Sequence, residues 1–118
     1  MKHVIIVEDH KDHAWLLSSI LTRIGFLTTT SLDLFFLLKQ VTERKVDVIV
    51  LDIRIPNLIP GYEIITQVRA INKTIPIVMV TADPSEDMRI KCLSRGADYY
   101  CVKPIVHKDI LTVFKQWL

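Results

Sequence analysis

Cysteine is scarce: Cys92 and Cys101 are the only two in 118 residues, and they form no CxxC or Cys/His metal spacing. That argues against a disulfide framework and a thiolate zinc site, and it suits a reducing cytoplasm. Long apolar runs are missing as well. No segment approaches the ~20 residues that a membrane-spanning helix needs, and the opening "MKHVIIVEDH" turns acidic after four apolar residues, unlike a secretion signal. Dense basic runs are also absent. Fifteen Lys and Arg against 13 Asp and Glu leave a net charge of +2, so direct contact with DNA or RNA is not expected. What the chain has in quantity is apolar residues, 50% of the total against 24% charged, which supplies a core and argues against disorder. At this length one domain over residues 1–118 is expected, cytoplasmic and outside the membrane.

Short apolar runs alternate with longer helix-period stretches. "HVIIV", "FLTTT", "VDVIVL", "IPIVMV" and "YYCV" are strand-like, and each is followed by an amphipathic segment. Leu17, Ile20, Leu21 and Ile24 recur at helical spacing, as do Ile64, Ile65, Val68 and Ile71. In "DPSE", Asp83 is expected to cap the fourth helix, with Pro84 at its first position, Glu86 completing a capping box and Gly96 closing it. The last helix is expected to carry Ile110, Phe114, Trp117 and Leu118 on one side, and no linker or second domain is expected after it. Three strands are apolar nearly throughout, as strands are when helices cover both faces of a parallel sheet. "FLTTT", more polar, reads as an edge strand. The pattern predicts a doubly wound α/β sandwich with its site at the carboxyl ends of the strands.

The ends of the apolar runs name the candidates for that site. The first strand stops at Glu8 and Asp9, the third at Asp52, the fourth at Thr81 and the fifth at Lys103. Singly, each reads as a cap, a turn or a solvated residue; together they place three carboxylates, a hydroxyl and an ammonium at one end of one sheet. Crowded carboxylates favour protonation unless a cation balances them. A hard divalent ion such as Mg²⁺ does so, and it takes carboxylates, waters and a phosphate oxygen as ligands. A carboxylate can also act as a nucleophile toward phosphorus, and Asp52, central among the strands, is best placed for it. Tyr62 and Tyr99 read as core or ordinary surface.

These residues resemble the receiver domain of two-component response regulators over essentially the whole chain. Glu8 and Asp9 match the family's acidic metal-holding pair and Asp52 its phosphoacceptor. Thr81, followed by Ala82, matches the hydroxyl residue; Lys103 and Pro104 match the lysine with its cis-proline, and Tyr100 falls at the aromatic switch. "SRGADYYCVKP" is similar to the family's approach to its last strand. The resemblance implies a flavodoxin-like five-stranded parallel sheet of order 2-1-3-4-5 and a Mg²⁺ (or Mn²⁺) ion on Glu8, Asp9, Asp52 and the Arg54 backbone carbonyl. It also implies a phosphohistidine donor on a sensor histidine kinase or phosphotransfer protein, an effector or output domain downstream, and a homodimer on phosphorylation. Such a domain catalyses only its own phosphorylation and dephosphorylation. Phosphate on Asp52 would shift Thr81, and Tyr100 would turn inward from a more exposed position. The readout surface would include Arg89, Lys91, Tyr100 and Lys108.

Two departures stand out. The family runs D-x-x-[ML]-P-x-x-x-G after its phosphoacceptor, whereas "DIRIPNLIPG" has Ile55 and one extra residue before Gly61, so this loop is expected to differ in shape. Arg54 places a cation two residues beyond Asp52, where its guanidinium is expected to compete with metal for the carboxylates. Arg54 also weakens an alternative, an aspartate-nucleophile phosphohydrolase, which commonly has a second Asp at that position. A receiver-like interaction module that never accepts phosphate would be expected to lack part of the acidic set. A flavin-binding relative of the fold would want Gly, Ser or Thr in the first turn, which here reads "VEDHKDH".

Overall fold

The apolar runs become strands and the amphipathic stretches between them helices, in strict alternation. The computed structural model describes residues 1–118. Its elements are β1 (His3–Val7), α1 (Lys11–Arg23), β2 (Leu27–Thr30), α2 (Leu34–Thr42), β3 (Val48–Leu51), α3 (Gly61–Ile71), β4 (Ile77–Thr81), α4 (Glu86–Arg95), β5 (Tyr99–Val102) and α5 (His107–Phe114), closed by a 3-10 turn at Lys115–Trp117. All strand pairs are parallel and the sheet order is β2-β1-β3-β4-β5, as expected.

Successive side chains of a strand point to opposite faces, and this alternation divides the core in two. Ile5, Val7, Ile49, Leu51, Ile77 and Met79 pack under α2, α3 and α4, on Leu37, Val41, Ile64, Ile65, Val68 and Cys92. Val4, Ile6, Val48, Val50, Val78 and Val80 face α1 and α5, on Leu17, Leu21, Ile110 and Phe114. Each fully buried Ile, Leu or Phe contributes about 1.5–3 kcal/mol, so the central strands are anchored on both sides. β2 lies at the edge with half-exposed threonines. The sheet reverses its direction of growth between β1 and β3, which opens a crevice where Glu8, Asp9 and Asp52 follow their strands.

Three local expectations need correction. Ser85, not Asp83, caps α4: its Oγ accepts the Met88 N–H at 3.2 Å. Asp83 instead accepts the Ser85 N–H at 2.8 Å, Pro84 stays outside the helix, and Glu86 pairs with Arg89 rather than closing a capping box. Counting three residues on from Ser85 reaches Met88, which cannot return a hydrogen bond to the cap. Ile71, the last residue of α3, is exposed, because the apolar face outruns the core by a turn. Leu118 is exposed too: α5 ends at Phe114, and the tighter 3-10 winding that follows keeps Trp117 on the core but turns Leu118 outward. Gly96, at φ 119°, closes α4 as read from the sequence.

Candidate functional site

Each functional side chain ends a strand or follows within two residues of one, the strands being buried for Glu8, Asp9, Asp52 and Thr81 and half-buried for Lys103. The Asp52 N–H bonds the Val7 carbonyl at 3.1 Å, extending the β1–β3 ladder by one rung, and its Oδ1 accepts the Ile53 N–H at 2.6 Å. The backbone is therefore held while the second oxygen is free to point into the crevice. Gly61 tightens this further. It donates to the Ile53 carbonyl at 2.8 Å, and a Cβ there would lie 2.6 Å from the Asp52 carbonyl oxygen and 2.9 Å from the Ile53 Cα. No other residue type fits so close to the backbone that carries Asp52.

Glu8, Asp9 and Asp52 come together, with one carboxylate oxygen from each lying within 4.8 Å of the others. Lys103 reaches the same point from β5 and donates through Nζ to Glu8 Oε1 and to Asp52 Oδ2, the latter at 3.0 Å. These three side chains are 10% exposed for Lys103, 2% for Glu8 and 11% for Asp52, so the contacts are little screened by water. Burial pulls the Lys103 ammonium down, but the hydrogen bonds it donates to Glu8 and Asp52 outweigh this and hold its pKa above the ordinary lysine value. The Lys103–Pro104 peptide bond is cis. Glu8 is further engaged by the His10 N–H at 3.1 Å, and His13 Nδ1, buried without a hydrogen-bond partner, lies 3.9 Å from Glu8 Oε1. The stacked His10 and His13 rings were not singled out in the sequence; the repeat in "DHKDH" is the signal that marks them.

Thr81 is buried at the end of β4, and with Asp52, Arg54, Ala82, Asp83 and Pro84 it walls a depression of about 380 Å³ beside the carboxylates. Its Oγ1 accepts the Asp83 N–H at 3.3 Å. Arg54 does not enter the carboxylate cluster. Its side chain is 77% exposed and its Nη2 pairs with Asp83 Oδ2 at 3.3 Å, so the cation nearest the acids is Lys103 instead. Asp83, read from the sequence as a cap, is a junction of the site. Its carboxyl is held below the ordinary range, first by the Ser85 N–H and the Ser85 side chain and to a lesser degree by Arg54. Its carbonyl accepts the Tyr100 hydroxyl at 2.7 Å. Tyr100 is therefore half-buried and anchored rather than exposed, and burial, followed by the charge of Asp83, pushes its pKa up to about 12.

The loop from Asp52 to Gly61 contains a tight turn. Pro56 and Asn57 occupy the corners of a turn closed by Leu58 N–H on the Ile55 carbonyl at 3.2 Å, with Asn57 at φ 63°, as a type II turn requires. Ile55 is buried in the position where a Met or Leu was expected. Lys91, placed in sequence on the readout surface with Tyr100, turns the other way and lies 3.8 Å over the Tyr62 ring of α3. No helix is long and apolar enough to cross a membrane.

Comparison with known proteins follows the same geometry. The transcriptional regulatory protein PrrA of Mycobacterium tuberculosis is 35% identical over 115 residues, covering 98% of this chain and 49% of its own length. The sensor histidine kinase RcsC of Salmonella typhimurium is 30% identical over 115 residues, 98% of this chain but 12% of the kinase. The chain thus spans about half or less of these relatives. Among solved structures, the chemotaxis protein CheY4 of Vibrio cholerae superimposes with a TM-score of 0.86 at 27% identity, covering 100% of this chain and 99% of that one. Residues 4–115 match the family model described as the response regulator receiver domain, and the chain belongs to that family.

Proposed function

We propose that residues 1–118 work as one receiver unit in which Asp52 accepts a phosphoryl group from a phosphohistidine on a sensor histidine kinase or phosphotransfer protein. One observation carries this reading: Lys103 bridges Glu8 and Asp52 at the switch point of the sheet. In the transfer, an Asp52 carboxylate oxygen joins phosphorus as the donor's P–N bond breaks and its electron pair returns to the imidazole. Asp52 is fixed for in-line attack by its ladder hydrogen bond and by Ile53 N–H. Lys103 balances charge on the phosphoryl oxygens, and the Thr81 hydroxyl donates to one of them once Asp52 is modified. The unit catalyses its own phosphorylation and dephosphorylation rather than the turnover of a separate substrate.

The donor set fits a hard divalent cation, because the three groups that come together are all carboxylates and only two of them meet the lysine. Glu8, Asp9, Asp52 and the Arg54 backbone carbonyl would hold Mg²⁺ or Mn²⁺. When bound, the ion offsets the charge that builds between Asp52 and the incoming phosphoryl group. An aspartate phosphohydrolase is disfavoured by Arg54, whose guanidinium stays protonated at neutral pH and does not exchange a proton as an acid/base.

The donor has a landing place beside the acids. Exposed Trp15 and half-exposed Leu32 wall a depression of about 410 Å³ together with Glu8 and Asp9, and apolar surface at such a mouth suits a docking protein. Readout runs through Thr81 and Asp83 to Tyr100 and the α4–β5–α5 face, which engages an effector or output domain or a second copy of the chain. The test is the set of amide shifts on adding beryllofluoride with Mg²⁺. Changes at Glu8, Asp52 and Lys103 that extend to Asp83 and Tyr100 are expected. Changes that never pass Lys103 contradict the readout, and no changes at the carboxylates contradict the site.

A further inference from the structure

Two cations share one aromatic ring beside an apolar depression that lies behind the loop following Asp52. Lys91 Nζ lies 3.8 Å, and Arg95 Cζ 5.0 Å, from the centroid of Tyr62. They are one turn apart on α4, a spacing at which like charges repel, and the ring offsets this only in part. Neither enters an ion pair, whereas Arg54, Arg69 and Arg89 each do. Arg95 has only the Thr66 hydroxyl, at 3.4 Å. The nearby acids offer no compensation: Asp83 is taken by Arg54 and Glu86 by Arg89, and the exposed Glu63 and Asp87 engage neither cation.

Tyr62 is also one wall of a depression of about 460 Å³ between the loop after β3 and the start of α4, whose other walls include Ile53, Ile55, Leu58, Met88 and Arg54. The floor is apolar and the cations stand on its rim. A basic segment laid there would meet like charges. A purely apolar one would cover Lys91 and Arg95 without answering them, which is costly.

We propose that this groove binds an acidic peptide segment of a partner protein, with one apolar side chain seated between Ile53 and Met88 and carboxylates meeting Lys91 and Arg95. This goes beyond phosphoryl transfer and does not depend on it. Lys91 and Arg95 are outside the machinery around Asp52, and although the groove borders α4, none of its walls comes from β5 or α5.

The test uses the full chain and a dye-labelled amphipathic helix built from Glu, Leu and Phe, with a twin in which Lys replaces Glu. Binding is read by anisotropy and mapped by amide shifts. The acidic probe is expected to shift residues 53–62 and 88–95, to weaken with salt, and to bind about tenfold more tightly than its twin. The double variant Lys91→Glu/Arg95→Glu should lose about tenfold or more in affinity while keeping the wild-type circular dichroism spectrum and metal-dependent phosphorylation. Equal binding of the two probes, unchanged binding by the variant, shifts centred on Trp15 or on β5, or no binding at all would each overturn the proposal.

Discussion

Arg54 and Asp83 clasp the two loops that flank Asp52, Nη2 to Oδ2 at 3.3 Å. The pair bridges the loops that follow β3 and β4, and Asp83 passes the connection on through its N–H to Thr81 and its carbonyl to Tyr100. Because the guanidinium is largely in water, the pair adds little to stability. Its effect is expected on kinetics instead. Arg54→Ala should leave stability nearly unchanged, and both Arg54→Ala and Asp83→Ala should alter the lifetime of the aspartyl phosphate. Asp83→Ala also gives up the Ser85 N–H, so the double variant should decay like Asp83→Ala alone, since Arg54→Ala removes nothing further once its partner is gone. Decay rates followed after labelling with acetyl phosphate check this, and additive effects contradict the clasp.

Lys103 is the only ammonium or guanidinium group on the buried carboxylates. Lys103→Met should therefore cost about 3–5 kcal/mol in urea melts without Mg²⁺, the penalty for stranding buried charge. Added Mg²⁺ should restore part of that loss and stabilise the variant more than the wild type. Equal stabilisation of the two proteins argues that the ion is held elsewhere.

Gly61 presses on the backbone of Asp52, where a Cβ would come within 2.6 Å of a carbonyl oxygen. Gly61→Ala should lose about 1–3 kcal/mol through the enforced shift and weaken Mg²⁺ binding in parallel. A metal titration that matches the wild type, with stability also unchanged, shows that the loop can yield.

The Tyr100 hydroxyl, held on the Asp83 carbonyl, keeps its proton up to about pH 12, against an ordinary value of 10.0. In the unfolded chain the proton leaves earlier. The contribution of Tyr100 to stability is therefore complete below about pH 10 and falls as pH rises through about 12. Tyr100→Phe should remove that slope from the stability profile and the latest step from a tyrosinate absorbance titration. An unchanged latest step places the high-pKa hydroxyl elsewhere.

Much of the site was legible because β1, β3 and β4 are apolar up to a polar residue, so the ends of the runs name Glu8, Asp52 and Thr81. Lys103 follows the same logic after β5. The strand order came from the likeness to receivers and not from periodicity. The Arg54–Asp83 pair was hidden, because an exposed ion pair between distant loops leaves no pattern in the residues around it. "DPSE" offered two candidate caps, and only the packed loop selects Ser85. The direction of Lys91 was equally hidden: α4 buries only Cys92, so its polar residues do not say which neighbour each will face.

Asp52 as the sole phosphoryl acceptor is the claim on which the rest depends, and intact mass after incubation with acetyl phosphate tests it most directly. With Mg²⁺, the wild-type chain should gain the mass of one phosphoryl group, chelator should abolish the gain, and Asp52→Asn should show none. A gain of the same size in Asp52→Asn, or one undiminished by chelator, would contradict the account.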